Sequence, residues 1–203
     1  PFYLFSLGLV VTTLVLIGQP LKHKDLKKRK EESKLRLADN QVWPFLAVAA
    51  GMGICNAMLV QTASFFFQDI VTPMASNPIT YASIGFMLMA FGSLLGQLLL
   101  ADRLRISPGS LVRYGTLVTG ISLLGISLFN SLTAIYFLFF FLGLGHGTQS
   151  TGLSASLSLS VGQENQGKAN GFMGMILPVG HVVSPILAMP LYMVSPTYPY
   201  LLG

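Results

Sequence analysis

Long apolar stretches alternate with short polar ones along the 203-residue chain, at roughly residues 1–19, 43–68, 80–101, 111–129, 133–160 and 169–193. A helix needs about 20 apolar residues to cross the hydrocarbon core of a bilayer, and each stretch is close to or above that length. Lipid offers no partner to an unpaired backbone N–H or C=O, so the stretches are predicted to be helices. The alternation over about ten residues that marks a membrane barrel is absent. The expected fold class is all-α, a polytopic membrane helical bundle. The apolar run that opens with PFYLF and a further segment starting after Pro199 make the chain read as truncated at both ends.

Composition agrees with that pattern. Apolar residues make up 52% of the chain and charged residues only 9%, against roughly 25% charged in soluble domains. Seven acids and twelve bases cannot coat a soluble body of this size, which excludes a cytoplasmic globular enzyme. Mean hydropathy is +0.66. A single cysteine rules out a disulfide framework and a multi-cysteine metal site. There is no H-E-x-x-H, no phosphate loop and no cysteine cluster, so no cofactor and no metal are expected.

The placement of charge adds a direction. Eight of the twelve bases lie between Lys22 and Arg36, and the others are Arg103, Arg105, Arg113 and Lys168. If the 20–42 stretch is cytoplasmic, the loops at 69–79, 130–132 and 194–198 are external, and they hold no Lys or Arg. The loops at 102–110 and 161–168 are then internal and hold the remaining bases, with Arg113 one turn into the next helix. This is the positive-inside pattern, and it predicts a multi-pass protein of the plasma membrane, a bacterial inner membrane. The basic stretch is read as an ordinary solvated linker between two helical groups, not as a nucleic-acid surface. It divides the chain into a helix at 1–19, the linker at 20–42 and a bundle at 43–203.

Four local features then point to one family. The first is that basic linker. The second is Leu100-Ala101-Asp102-Arg103 with Arg105 in an inner loop, where an Asp at a helix start can pair with N–H groups or a nearby Arg. The third is the run Gln163-Glu164-Asn165-Gln166-Gly167-Lys168-Ala169-Asn170-Gly171. The fourth is Gly171…Gly180-His181-Val182-Val183-Ser184-Pro185 followed by Ala188, where small residues permit close helix approach and Pro185 removes a hydrogen bond. Together they resemble the major facilitator superfamily of secondary transporters. The linker is similar to that family's central cytoplasmic loop, which would make 1–19 the last helix of the N-terminal half and 43–203 the C-terminal six-helix half. Asp102, Arg103 and Arg105 resemble the inner-gate motif G-x-L-A-D-R-x-G-R, with Leu98, Arg105 and Ile106 departing from it. Gly171, Gly180, Ser184, Pro185 and Ala188 resemble the antiporter packing motif of drug and tetracycline exporters, with Ser184 and Ala188 in place of Gly and Met189 in place of the last Gly.

Polar residues inside the apolar stretches are candidates for function. On 43–68, Gln61, Ser64 and Gln68 share a helical face, with Asn56 one turn deeper. On 133–160, His146, Gln149, Ser150, Ser154 and Ser158 share a face. By the resemblance these are the seventh and tenth helices, which line the family's substrate cavity. His146 and His181 are the titratable groups near mid-membrane and candidates to carry a coupling proton. For each, a neutral imidazole bridging two helices is the plainer alternative. Asp69 sits at the outer end of its helix, and Phe65, Phe66 and Phe67 beside it read as lipid or core contacts. Packing is expected through Gly92-x₃-Gly96 and Gly143-x₃-Gly147.

The resulting expectation is a non-enzymatic transporter, effluxing a small amphipathic compound by alternating access with proton coupling. Its partners would be that substrate, a proton or other coupling ion, the lipid bilayer and the N-terminal half of the transporter, with no nucleic acid. Uptake by the same fold is the first alternative. An intramembrane serine hydrolase, from Gly152-Leu153-Ser154-Ala155 with His181, and a non-transporting scaffold are the others.

Overall fold

A computed structural model describes residues 36–37, 39–71, 77–100, 106–176 and 178–202. The 1–19 segment, most of the basic linker, and Asp102, Arg103 and Arg105 lie outside the described residues. All of the described residues belong to one unit of the chain, Leu35–Gly203.

This unit is built from helices, and no strand occurs among the described residues. Helix α1 spans Trp43–Phe66 and continues as a π-helical turn, Phe67–Val71. Helix α2 spans Pro78–Leu95, with a second π-helical turn at Gly96–Leu100. Helices α3 (Pro108–Leu128) and α4 (Leu132–Ser160) follow. Then come α5 (Gln166–Ile176), α6 (Val179–Val194) and a short α7 (Tyr198–Leu202). A 24-residue α1 rises about 36 Å at 1.5 Å per residue, enough to cross the roughly 30 Å hydrocarbon core. Five helical spans among the described residues are long and apolar enough to do so.

The helix starts follow from local chemistry. α1, α2 and α3 each carry a proline in the first turn, where its missing N–H costs nothing. The Ser107 hydroxyl accepts from the Ser110 N–H at 3.4 Å and caps α3. The stretch expected as a single helix over 169–193 is two, α5 and α6, divided just before Val179. Pro178 occupies the cap position of α6. A proline there offers no N–H to the preceding turn, which interrupts the helical hydrogen-bond ladder.

Helix α4 runs between α2 and α3 and packs along both, while α1 packs along α6. The α2–α4 contact is backbone to backbone. A Cβ on Gly92 would strike the Phe140 carbonyl oxygen, one on Gly143 that of Met89, and one on Gly147 that of Ser93. The two G-x₃-G pairs expected from the sequence therefore interlock with the facing helix. In a bilayer, where lipid competes for apolar contact, such close approach is what holds helices together. Between α1 and α6, Gly180 lies against the backbone of Gly53 and Ile54.

Two buried apolar clusters sit at opposite ends. At the Phe66 end, Leu59, Phe66, Phe67, Ile126, Ile135 and Phe139 interlock, and Tyr200 of α7 closes the cluster. At the Trp43 end, Leu46, Ala49, Leu153, Leu157, Ala169 and Met173 do the same. A cavity bordered by Met52 of the second cluster and by Leu59, Leu123 and Leu142 of the first lies between them. Most of the outward surface is greasy: Leu117, Ile121, Leu128, Val182 and Ile186 are each at least 60% exposed. A continuous surface of that kind fits lipid, not water.

Candidate functional site

The polar residues of α1 and α4 fall into three groups. A cavity of about 360 Å³ lies among α1, α3 and α4, with Cys55 and Asn56, Thr116 and Thr119, and His146 and Gln149 supplying its polar atoms. Met52, Leu59, Leu123 and Leu142 close the apolar walls. Gln149 is buried and His146 half-buried. The glutamine is held close to α3, because Gly115 leaves its backbone uncovered there: a Cβ at that position would stand 2.6 Å from the Gln149 nitrogen. Thr119 Oγ1 is buried with no hydrogen-bond partner in the protein. A hydroxyl in that position beside an open space is satisfied by water or by a ligand group.

The second group is a shallow depression of about 460 Å³ toward the Trp43 end of α4. Its polar atoms come from Ser150, Thr151, Ser154 and Ser158 of α4, Gln97 after α2 and Asn170 of α5, and Ala155 and the aliphatic parts of these side chains complete the lining. Ser150 and Thr151 donate back to the Gly147 carbonyl oxygen, at 3.3 and 2.9 Å. Gln97 Nε2 donates to Ser93 Oγ at 3.2 Å. Ser154 and Asn170 are exposed. Every polar group on this surface is uncharged.

The third group lies toward the Phe66 end of α1 and in the π-helical turn that follows it. Ser64 and Gln68 are exposed, whereas Gln61 is half-buried and its Oε1 accepts from the Ser184 hydroxyl of α6 at 3.3 Å. Asn56, placed with these by helical spacing, turns instead into the internal cavity. The fold thus gathers Asn56, His146 and Gln149, leaves Ser64 and Gln68 on the surface, and sends Ser150 to the hydroxyl-lined depression. His181 stands apart from both cavities, exposed on α6. Of the small-residue run, Ser184 and Ala188 are fully buried and Gly180 touches α1. Pro185 is exposed, and open space surrounds Gly171. Among the described residues no group of three or more His, Cys, Asp or Glu is placed to hold a metal ion.

Sequence reasoning did not single out Thr116, Thr119 or Gln97, and named Asn170 only within the 163–171 run, without a site role. The two threonines sit at i and i+3 in an apolar stretch and share a helical face, so that pair was legible. Gln97 and Asn170 lie near the ends of their elements, and only tertiary packing brings them beside α4.

A bundle with an apolar outer surface, interlocked helices and an internal cavity bordered by polar side chains is the architecture of a membrane-embedded helical domain. No curated protein matches the chain, and no solved structure does. The family model described as Major Facilitator Superfamily matches residues 1–185. Members of that family are typically transporters rather than enzymes. The chain belongs to the Major Facilitator Superfamily of secondary transporters and is a multi-pass membrane protein.

Proposed function

We propose that this protein exports a small amphipathic compound by alternating access, driven by proton entry. The observation that carries the reading is exposed polar side chains on otherwise apolar helices: Ser64 and Gln68 toward the Phe66 end and, separately, Ser150, Ser154 and Ser158 lining an open depression toward the Trp43 end of α4. Polar side chains on membrane-spanning helices are costly against lipid. They are tolerated where they border water or another protein surface, and an aqueous substrate path supplies the first.

In this reading the substrate contacts Ser64, Gln68 and the hydroxyl-lined depression through neutral hydrogen bonds, and its apolar part rests on neighbouring aliphatic side chains. Alternation exposes these two regions in turn to the two sides of the membrane. His146 takes the coupling proton, since it is the one titratable ring bordering the internal cavity and imidazole titrates near physiological pH. Asn56 and Gln149 in the same cavity offer both donors and acceptors, so they can serve the neutral or the protonated ring. The basic linker stays on the cytoplasmic side of the plasma membrane.

Transport into proteoliposomes tests the proposal. An amphipathic fluorescent dye should move against its gradient when a proton gradient is imposed, and a protonophore should abolish the movement. His146→Gln should keep dye exchange at equal pH and lose the response to the gradient. Dye movement no faster than in protein-free liposomes would overturn the proposal, and gradient-driven transport by His146→Gln would remove the assignment of His146.

A further inference from the structure

At the Phe66 end, α1 and α6 meet around a single carboxylate. The Tyr192 hydroxyl donates to Asp69 Oδ2 at 2.8 Å, which fixes the acid beside the edge of the Tyr192 ring. The Phe65 ring stands next to it, with centroids 6.1 Å apart and planes inclined by 52°. Phe65 and Asp69 are four residues apart, so they are neighbours along one side of the helix. Phe65 is 45% exposed and Asp69 is exposed, so this corner opens outward.

The surrounding charge makes the corner distinctive. In the stretches 69–79, 129–132 and 195–203, which join or follow the helices at this end, Asp69 is the one charged residue. Every Lys and Arg of the chain lies elsewhere in the sequence. The result is a carboxylate at the hydroxyl edge of one ring, Tyr192, whose neighbour is the inclined ring of Phe65, with no cationic side chain in those stretches to neutralise it. Tyr192 meets one of the carboxylate's acceptor positions, and an ionised carboxylate has about four.

Chemistry selects the ligand. A calcium ion takes six to eight oxygen ligands, and one carboxylate with one phenol supplies too few. A hydrated sodium ion gains nothing from the rings. A methylated or alkylated ammonium is weakly hydrated and carries its charge on apolar groups. It is attracted to aromatic faces within about 6 Å of the centroid, and a position within that reach of both rings is compatible with their 6.1 Å separation. We propose that Phe65, Asp69 and Tyr192 form a binding site for the ammonium head of an organic cation. This goes beyond the transport reading and does not depend on it, because binding at equilibrium is measured without turnover.

The head group has two possible sources, a free organic cation or the choline of a phosphatidylcholine lipid. Equilibrium dialysis of labelled choline against the protein in nanodiscs of phosphatidylglycerol tests the site. Saturable binding is expected, with no competition from 3,3-dimethylbutanol, the uncharged isostere. Asp69→Asn should weaken binding about tenfold through loss of the charge, and Phe65→Leu about threefold through loss of one ring face. Tyr192→Phe keeps its ring and should fall between wild type and Asp69→Asn. Asp69→Glu should restore most of the affinity, which separates loss of charge from misfolding. Repeating the measurement with phosphatidylcholine in the nanodisc identifies the source: a weaker apparent affinity for choline marks the lipid as occupant, and an unchanged one marks a free cation. Non-saturable binding, equal competition by 3,3-dimethylbutanol, or an Asp69→Asn variant that binds as wild type would overturn the proposal.

Discussion

Helix α4 presents two open faces of opposite chemistry. On one, Phe137, Phe141 and Leu159 are 65%, 42% and 74% exposed. On the other, Ser150, Ser154 and Ser158 line a depression with Gln97 and Asn170. The two faces belong to the same 29-residue helix and run past the same membrane, so they must meet different surroundings. Apolar rings at that exposure are at home in lipid, and hydroxyls lining an open depression need water or protein. Exposure alone therefore does not locate a site in a membrane protein. Exposure combined with polarity does.

What separates the faces is the fixed packing of α2 and α3 against α4. The largest effect is accordingly expected from Gly143→Leu, which drives a side chain into the Met89 carbonyl. Backbone cannot yield as a flexible side chain does, so the cost should reach about 3 kcal/mol or more. Melting temperature and monodisperse yield in detergent should both drop. Gly171→Leu, with open space around it, should leave both close to wild type.

Next in size is a charge placed on the apolar face. Phe141→Asp should cost about 2.5 kcal/mol or more of insertion free energy, whereas Ser154→Asp on the polar face should shift stability by about 0.5 kcal/mol or less. Insertion efficiency and thermal stability of the two variants measure the contrast directly. Equal penalties would erase the distinction between the faces. A smaller effect belongs to Gln61→Ala, which removes the bond from Ser184. Both partners lie inside the α1–α6 contact, so about 1 kcal/mol is expected, and Ser184→Ala on top of it should add little.

Much of this architecture is legible along the chain. A stretch of apolar residues long enough to cross a bilayer has one available structure there, so the spanning helices follow from length and composition. The glycine pairs at 92/96 and 143/147 were readable too, since spacing by four is what a helix needs to meet a flat partner. The division between α5 and α6 was not. The residues on both sides of Pro178 are apolar, and a proline within a membrane helix is as compatible with a kink as with a break. Pro185 and Pro190 lie inside α6 without interrupting it. The polar stripe of α4 was also only half readable. Helical spacing groups His146, Gln149, Ser150 and Ser154 on one broad side. It does not say that Gly115 draws Gln149 toward α3 while Ser150, about 100° further round, opens toward Gln97 and Asn170. That outcome depends on which neighbours are bare enough to approach.

The central claim is that Ser64 and Ser154 face water while Phe141 and Ile121 face lipid. In a Cys55→Ser background, single cysteines at these four positions should be treated in intact membranes with a small, membrane-impermeant thiol reagent from each side in turn. Labelling at Ser64→Cys and Ser154→Cys, with none at Phe141→Cys and Ile121→Cys, is the predicted result. Equal reactivity at all four positions, or reactivity confined to Phe141→Cys and Ile121→Cys, would contradict it.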